Sequence, residues 1–128
     1  MRIGELAALC DCPIETIRYY EKIGLLPSPA RESNGYRHYE SRHHKWLKFI
    51  IRSRGLGFSQ DEVRRLTDLA HTDEPACHDV HELLETHIVD VRSRIRELER
   101  MRRSLLKLKT KCQDGTLNDC PVIDDLMT

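Results

Sequence analysis

The sequence predicts a mainly α-helical protein: short helices gathered round one small β-hairpin, then a single long helix that cannot stand alone. Three observations predict it. Apolar residues recur at helical spacing in separate short runs between Ile3 and Ala70. Asn34-Gly35 marks a tight hairpin among them. From Leu84 to Cys112 an apolar residue then returns every three or four positions.

The elements follow in order. Ile3-Gly4-Glu5-Leu6-Ala7-Ala8-Leu9 forms a first helix, and Cys10-Asp11-Cys12 breaks it. Pro13 sits where a first helical residue is tolerated, because its missing N–H would have no partner there. Ile14 to Glu21 is the second helix, burying Ile14 and Ile17 and leaving Thr16, Arg18, Tyr19 and Tyr20 to its other faces. Two short helices joined by a tight turn make a helix-turn-helix. Gly24-Leu25-Leu26-Pro27-Ser28-Pro29 stops the second helix and leads into extended chain.

Both Asn34 and Gly35 tolerate positive φ, so Arg31 to Tyr39 reads as a short β-ribbon, or wing. Alternation puts Tyr36 and His38 on one side of it, Arg37 and Tyr39 on the other. Ser41 to Arg54 is a basic helix whose apolar content is Trp46, Leu47, Phe49, Ile50 and Ile51; Gly55-Leu56-Gly57 ends it. Ser59 and Glu62 make a capping box for a helix through about Ala70. Thr72-Asp73-Glu74-Pro75 is a turn and a natural boundary.

In the last segment Leu84, Ile88, Val91, Ile95, Leu98, Met101, Leu105, Leu108 and Cys112 are separated by 4, 3, 4, 3, 3, 4, 3 and 4 residues. This is a heptad seam with one slip near Met101. Arg and Glu fill the other faces, and a helix so polar needs a partner. The N-terminal part is too small to cover the whole seam. A second copy in an antiparallel coiled coil is therefore expected. The chain divides into an N-terminal domain over 1–75, a dimerisation helix over 76–111, and a loop and short tail over 112–128.

Overall charge is zero, but Arg31, Arg37, Arg42, Lys45, Lys48, Arg52 and Arg54 face only Glu32 and Glu40 in their stretch. Nucleic acid responds to such a local patch rather than to net charge. A helix-turn-helix, a ribbon and a basic third helix together make a winged DNA-binding module. Its second helix would enter the major groove, with the ribbon beside the phosphates. Arg18 suits a base edge or phosphate, and Tyr20, Tyr36, Arg37, Tyr39 and Arg54 suit the backbone.

No run approaches the ~18 apolar residues of a membrane span, and the N-terminus lacks a signal-peptide pattern. A cytoplasmic location without membrane contact is expected, where five cysteines are free thiols or metal ligands rather than disulfides. Cys77 stands just before the long helix, Cys112 ends it, and Cys120 follows after seven loop-like residues. If Asp79 to Lys111 is one helix, at about 1.5 Å per residue it is roughly 50 Å long. Cys77 then cannot meet Cys112 and Cys120 of its own chain, but an antiparallel partner can bring its Cys77 to them. Three thiols so gathered form a soft-metal pocket. His78 and His81 flank Cys77 as candidates for a fourth ligand. Cys10 and Cys12 read as small structural residues of the turn. There is neither Cys-x-x-Cys beside a βαβ pattern nor a nucleophile with an adjacent base, so an enzyme is not expected.

Ile17-Arg18-Tyr19-Tyr20-Glu21, Gly24-Leu25-Leu26, Arg31, and Asn34-Gly35-Tyr36-Arg37-His38-Tyr39 resemble the MerR family of bacterial transcriptional regulators. Phe49-Ile50, Gly55-Leu56-Gly57-Phe58 and the Ser59 capping box extend the resemblance over essentially the whole chain. It implies a homodimer on promoter DNA between two elements spaced too far apart for RNA polymerase. Effector binding would bend and underwind that DNA, at a deformation cost of a few kcal/mol.

The resemblance further implies the metal-responsive branch, whose loop carries two cysteines after the dimer helix, matching Cys112 and Cys120. Members sensing monovalent copper, silver or gold have serine where this chain has Cys77. A third thiolate implies a divalent soft or borderline ion, and three thiolates suit trigonal mercury or lead, or tetrahedral zinc or cadmium with one added ligand. The family's zinc sensors tend to carry a further cysteine beside the first loop cysteine and a loop histidine. Here Gln113 follows Cys112 and no histidine lies between Cys112 and Cys120. One divalent ion per site is expected: cadmium or lead, then zinc, then mercury. The expected output is activation of heavy-metal efflux or resistance genes. The competing reading is a thiol redox sensor in which Cys112 and Cys120 form a disulfide, a device with no need of Cys77.

Overall fold

A computed structural model describes residues 1–72, 77–113 and 120–128 of the chain. Its elements are α1 (Ile3–Cys10), α2 (Ile14–Lys22), β1 (Ala30–Arg31), β2 (Arg37–His38), α3 (Ser41–Gly55), α4 (Gln60–Ala70), α5 (Cys77–Gln113) and α6 (Pro121–Met127). The chain forms two compact units, Met1–Leu83 and Leu84–Thr128. The expected boundary turn at 73–75 and the loop residues 114–119 lie outside the described residues.

The first unit is built round Leu6, Ile17, Leu26, Leu47, Ile50 and Val63, all fully buried. Each helix gives one stripe to this core. On α3 the stripe is His43, Leu47, Ile50 and Ser53, which are buried at helical spacing while Lys45, Lys48 and Arg52 stay exposed. Leu83, two turns into α5, joins the same core at 5% exposure. On α2 the stripe is Ile17 and Tyr20. Ile14, expected inside, is 37% exposed: it is the first residue of α2, directly after the Pro13 N-cap, and the buried stripe begins one turn later at Ile17.

The turn between α1 and α2 closes on Asp11, which takes a left-handed conformation at φ 50°, one that Asp tolerates better than most side chains. Cys12 then donates its N–H to the Ala7 carbonyl and is buried in the core, with Cys10 packed against it. Burial pushes both thiols up, with Lys48 partly offsetting this at Cys10.

The wing pairs Ala30 with His38 and Arg31 with Arg37, antiparallel. Its tip differs in detail from a two-residue turn. Only Gly35 takes positive φ, at 85°; the Asn34 side-chain oxygen instead accepts from the Tyr36 N–H. Gly35 N–H closes a turn on the Glu32 carbonyl, and Glu32 N–H closes on Tyr36. This longer connection suits a type I turn with glycine following in the left-handed position.

Ser59 and Glu62 form the expected capping box, with exchanged bonds of 3.1 and 3.0 Å. The start of α3 holds a less legible device: the Glu40 N–H donates to Nδ1 of His43 at 2.9 Å. His43 is fully buried. Burial first, and then the Arg42 charge, hold its imidazole below the ordinary value, against the opposing pull of the Ser28 backbone and of Glu40 and Glu21. The folded state therefore binds fewer protons than the unfolded one. Its stability is whole above the ordinary imidazole value of about 6.5 and declines as the pH falls below it. Urea unfolding between about pH 7.5 and 5 is expected to show that decline, and His43→Gln to flatten it. An equal slope in the variant would place the responsible proton elsewhere.

The long helix α5 has 37 residues, or roughly 55 Å at 1.5 Å per residue. It exceeds the expected Asp79–Lys111 by two residues at each end, so Cys77 is its first residue and Cys112 lies in its last turn. An element not expected from the sequence follows: α6, with Cys120 as N-cap and Pro121 at its first position. Lys111 of α5 pairs with Asp125 of α6 at 3.3 Å.

Candidate nucleic-acid interface and metal centre

Beside α2 and the wing lies an open cleft of about 690 Å³ lined by Arg2, Arg18, Arg31, Tyr36 and Arg37, with backbone at Gly4 and Gly35. No carboxylate lines it among the described residues. The fold thus gathers Arg18, Arg31, Tyr36 and Arg37, four of the residues that sequence reasoning assigned to DNA. Arg31 donates to the Gly35 carbonyl at 3.1 Å, which stiffens the wing tip from within.

Two predicted contacts need correction. Tyr39 is 1% exposed, and its hydroxyl donates a short hydrogen bond to Glu21 rather than to solvent. Burial, reinforced by Glu21, raises this phenol far above its ordinary value, so it remains a donor. Tyr20 is 8% exposed and belongs to the core. Neither ring is presented on the surface, because each belongs to the hydrophobic core of the first unit. Of the neighbouring tyrosines on α2, Tyr19 is the exposed one, at 45%. Its hydroxyl donates to the Gln60 side chain of α4 at 3.2 Å. Arg54 also has a local role, donating to the Phe58 carbonyl at 2.8 Å just past the end of α3. Thr16 is half-buried.

Sequence reasoning missed Glu21 and Arg2. Glu21, at the end of α2, accepts from Tyr39 and lies 3.7 Å from the Arg37 guanidinium. One nearly buried carboxylate thereby fixes α2 to the wing. Arg2 lies with its guanidinium 4.2 Å from the Tyr36 ring centroid. Met1 exchanges two backbone bonds with Tyr39, of 2.8 and 2.7 Å, pinning the segment that carries Arg2 to the end of the wing. No sequence pattern announces either device.

All five cysteines are free thiols. Cys77 and Cys112 are exposed and Cys120 is half-buried. Among the described residues of the chain, no three His, Cys, Asp or Glu side chains gather as a metal group. His78 pairs with Glu82 across one helical turn at 3.3 Å, and His81 lies a turn into the same helix. The donor chemistry still fits a soft ion: three accessible sulfurs, none committed to a disulfide.

The predicted seam is apolar and uncovered. Leu84, Ile88, Val91, Ile95, Leu98, Met101 and Leu105 are 37–63% exposed, and Leu108 is half-buried. No helix among the described residues is long and apolar enough to cross a membrane.

Comparison with known proteins places these features. Residues 45–108 match the family model described as MerR, DNA binding, and residues 2–39 match the MerR family regulatory protein model. The chain is 40% identical over 127 residues to the mercuric resistance operon regulatory protein of Bacillus cereus, covering 98% of this chain and 96% of that one. It superposes with a TM-score of 0.83 on the transcription regulator PbrR691 from Ralstonia metallidurans CH34 in complex with lead(II), at 39% identity over 98% of both chains. A second structure, the dual-function regulator MerR of Bacillus megaterium MB1 with mercury(II), matches at a TM-score of 0.74 and 37% identity over the full length of both.

Proposed function

The chain belongs to the MerR family of transcriptional regulators, and from that premise we propose that it is a metal-switched activator of heavy-metal efflux or resistance genes. As a homodimer it binds promoter DNA through the arginine cleft. It answers one divalent soft ion per site, held by Cys112, Cys120 and the partner's Cys77. The working division is a DNA-binding domain over 1–75, a dimerisation helix over 76–111, and a metal-binding loop with a short tail over 112–128.

The carrying observation is the placement of three accessible thiols at the start of α5, at its end and at the N-cap of α6. A single helix of roughly 55 Å separates the first of them from the second. An antiparallel copy joins them. Relatives described with lead and mercury support a thiophilic divalent ion, and three sulfurs favour lead, cadmium or mercury over any hard cation. Zinc fits with a fourth ligand from water, His78 or His81. The third thiol argues against a monovalent ion, which two thiolates satisfy linearly.

DNA is held by positioning contacts from Arg18, Arg31, Tyr36 and Arg37. Ion binding then favours the dimer geometry that distorts the promoter, at a few kcal/mol of DNA deformation, and RNA polymerase finds its two elements aligned. The test is transcription in vitro by purified protein and polymerase, on a promoter that the protein protects, titrated with buffered lead, cadmium, zinc and mercury. A rise of at least tenfold with one or more of them is expected, on the order of 1.4 kcal/mol of coupling. Activation by none sinks the proposal.

A further inference from the structure

Of the four arginines in the cleft, three lie in segments that the motifs already tie to DNA. Arg2 lies before α1, as its N-cap residue, and carries no such signal. Its surroundings are nevertheless built. The Tyr36 ring beneath its guanidinium is 55% exposed, so the stack stands on the surface and does not fill the core. Both sides of the stack are fixed: Met1 is paired with Tyr39 at the end of the wing, and Tyr36 follows the turn that Asn34 and Gly35 close.

The charges of the cleft are not equally available. The Arg37 guanidinium lies by Glu21, and that of Arg31 donates to the Gly35 carbonyl. Among the described residues, the recorded contact of the Arg2 guanidinium is with an aromatic face. A ring face takes up no N–H of the guanidinium as a hydrogen-bond acceptor would, and a guanidinium edge matches two oxygens of a phosphodiester.

We propose that Arg2 is a DNA-backbone contact of the wing, pre-set by Tyr36 to receive a phosphate. It rests on the DNA-binding reading above. The N-terminal dipeptide then acts with the wing: Met1 anchors it, and Arg2 supplies the charge. A lysine could supply the charge but not the stacked, forked donor edge.

The experiment uses the full chain and a duplex that the wild-type protein enriches from a random 30-base-pair pool. Affinity is measured from about 50 to 200 mM salt for wild type, Arg2→Gln, Arg2→Lys, Tyr36→Leu and Arg2→Gln/Tyr36→Leu. Each phosphate contact contributes about −0.9 to the slope of log affinity against log salt, so losing one in each of two protomers reduces the slope by about 1.8. Arg2→Gln is expected to show that reduction with a roughly tenfold weaker affinity, at unchanged melting temperature. Arg2→Lys is expected to restore the slope but not the full affinity, and the double variant to lose less than the sum of the two single losses. An unchanged slope for Arg2→Gln overturns the assignment, and additive losses overturn the role of the stack. Failure of the wild-type protein to enrich any duplex would instead overturn the DNA-binding reading on which both stand.

Discussion

Replacing Cys77 with serine is expected to abolish metal-dependent activation while the metal-free protein still folds and binds DNA. Cys77 is exposed at the first position of α5, and serine is at home at a helix start. The substitution therefore removes a ligand without opening the core. An alcohol does not ionise at neutral pH and is a hard donor, so a soft ion keeps only two of its three sulfurs. Structural thiolate sites bind with apparent energies that come to about 3 kcal/mol per ligand, so affinity should fall by two orders of magnitude or more. A switch made only of Cys112 and Cys120 would survive the change, and retained metal induction in Cys77→Ser would overturn the three-thiolate site.

The same variant tests where the third sulfur comes from. A Cys77→Ser protomer keeps Cys112 and Cys120; a Cys112→Ser/Cys120→Ser protomer keeps Cys77. Neither homodimer holds a complete site, whichever way the site is built. If the pocket spans two protomers, their heterodimer regains one complete site. A random mixture then binds about a quarter of the wild-type metal, since half its dimers are mixed and each mixed dimer has one site of two. If the pocket lay within one protomer, mixing would restore nothing. Competition against a chelator of known affinity reads the difference directly.

Those features that depend on local spacing were legible in the sequence. Ser59 and Glu62 announce the start of α4 because a capping box is a four-residue pattern. The length of α5 follows from a seam that repeats between Leu84 and Leu108. Arg18, Arg31, Tyr36 and Arg37 could be named because charge and motif both pointed to them. What depends on tertiary neighbours was not legible. Tyr39 reads as a wing aromatic facing solvent, but the hydroxyl turns inward to Glu21, 18 residues away, and no pattern within the wing records that partner. Arg2 joins the cleft only because Met1 pairs with Tyr39, 38 residues on. His43 as the cap partner of Glu40 escapes the usual Ser/Thr and Glu/Gln pattern. Helix α6 was missed since its seven residues are too few to show periodicity.

Leu98→Asp is expected to convert the dimer to a monomer and with it abolish both tight DNA binding and metal response. The register follows from the thiols. For the partner's Cys77 to meet Cys112, the later thiol that α5 itself carries, facing residues of the two antiparallel helices must sum to about 189, which puts the two-fold axis near position 95. Ile95 is then the seam residue nearest the axis, and Leu98 lies one turn from it, inside the interface. Leu98 is 61% exposed in the single chain, so aspartate there costs the monomer little. In the dimer it removes two leucines, at about 2–5 kcal/mol each, and buries two unpaired charges in the apolar seam. Dissociation should strengthen by at least three orders of magnitude, on the order of 4 kcal/mol. Sedimentation equilibrium reads this without DNA or metal. Arg103→Asp makes a larger charge change, two units per chain against one, two residues past Met101 and about 200° round the helix from the seam, and should still leave the dimer intact. A Leu98→Asp protein as dimeric as wild type would remove the seam as the dimer interface, and the shared thiolate site would fall with it.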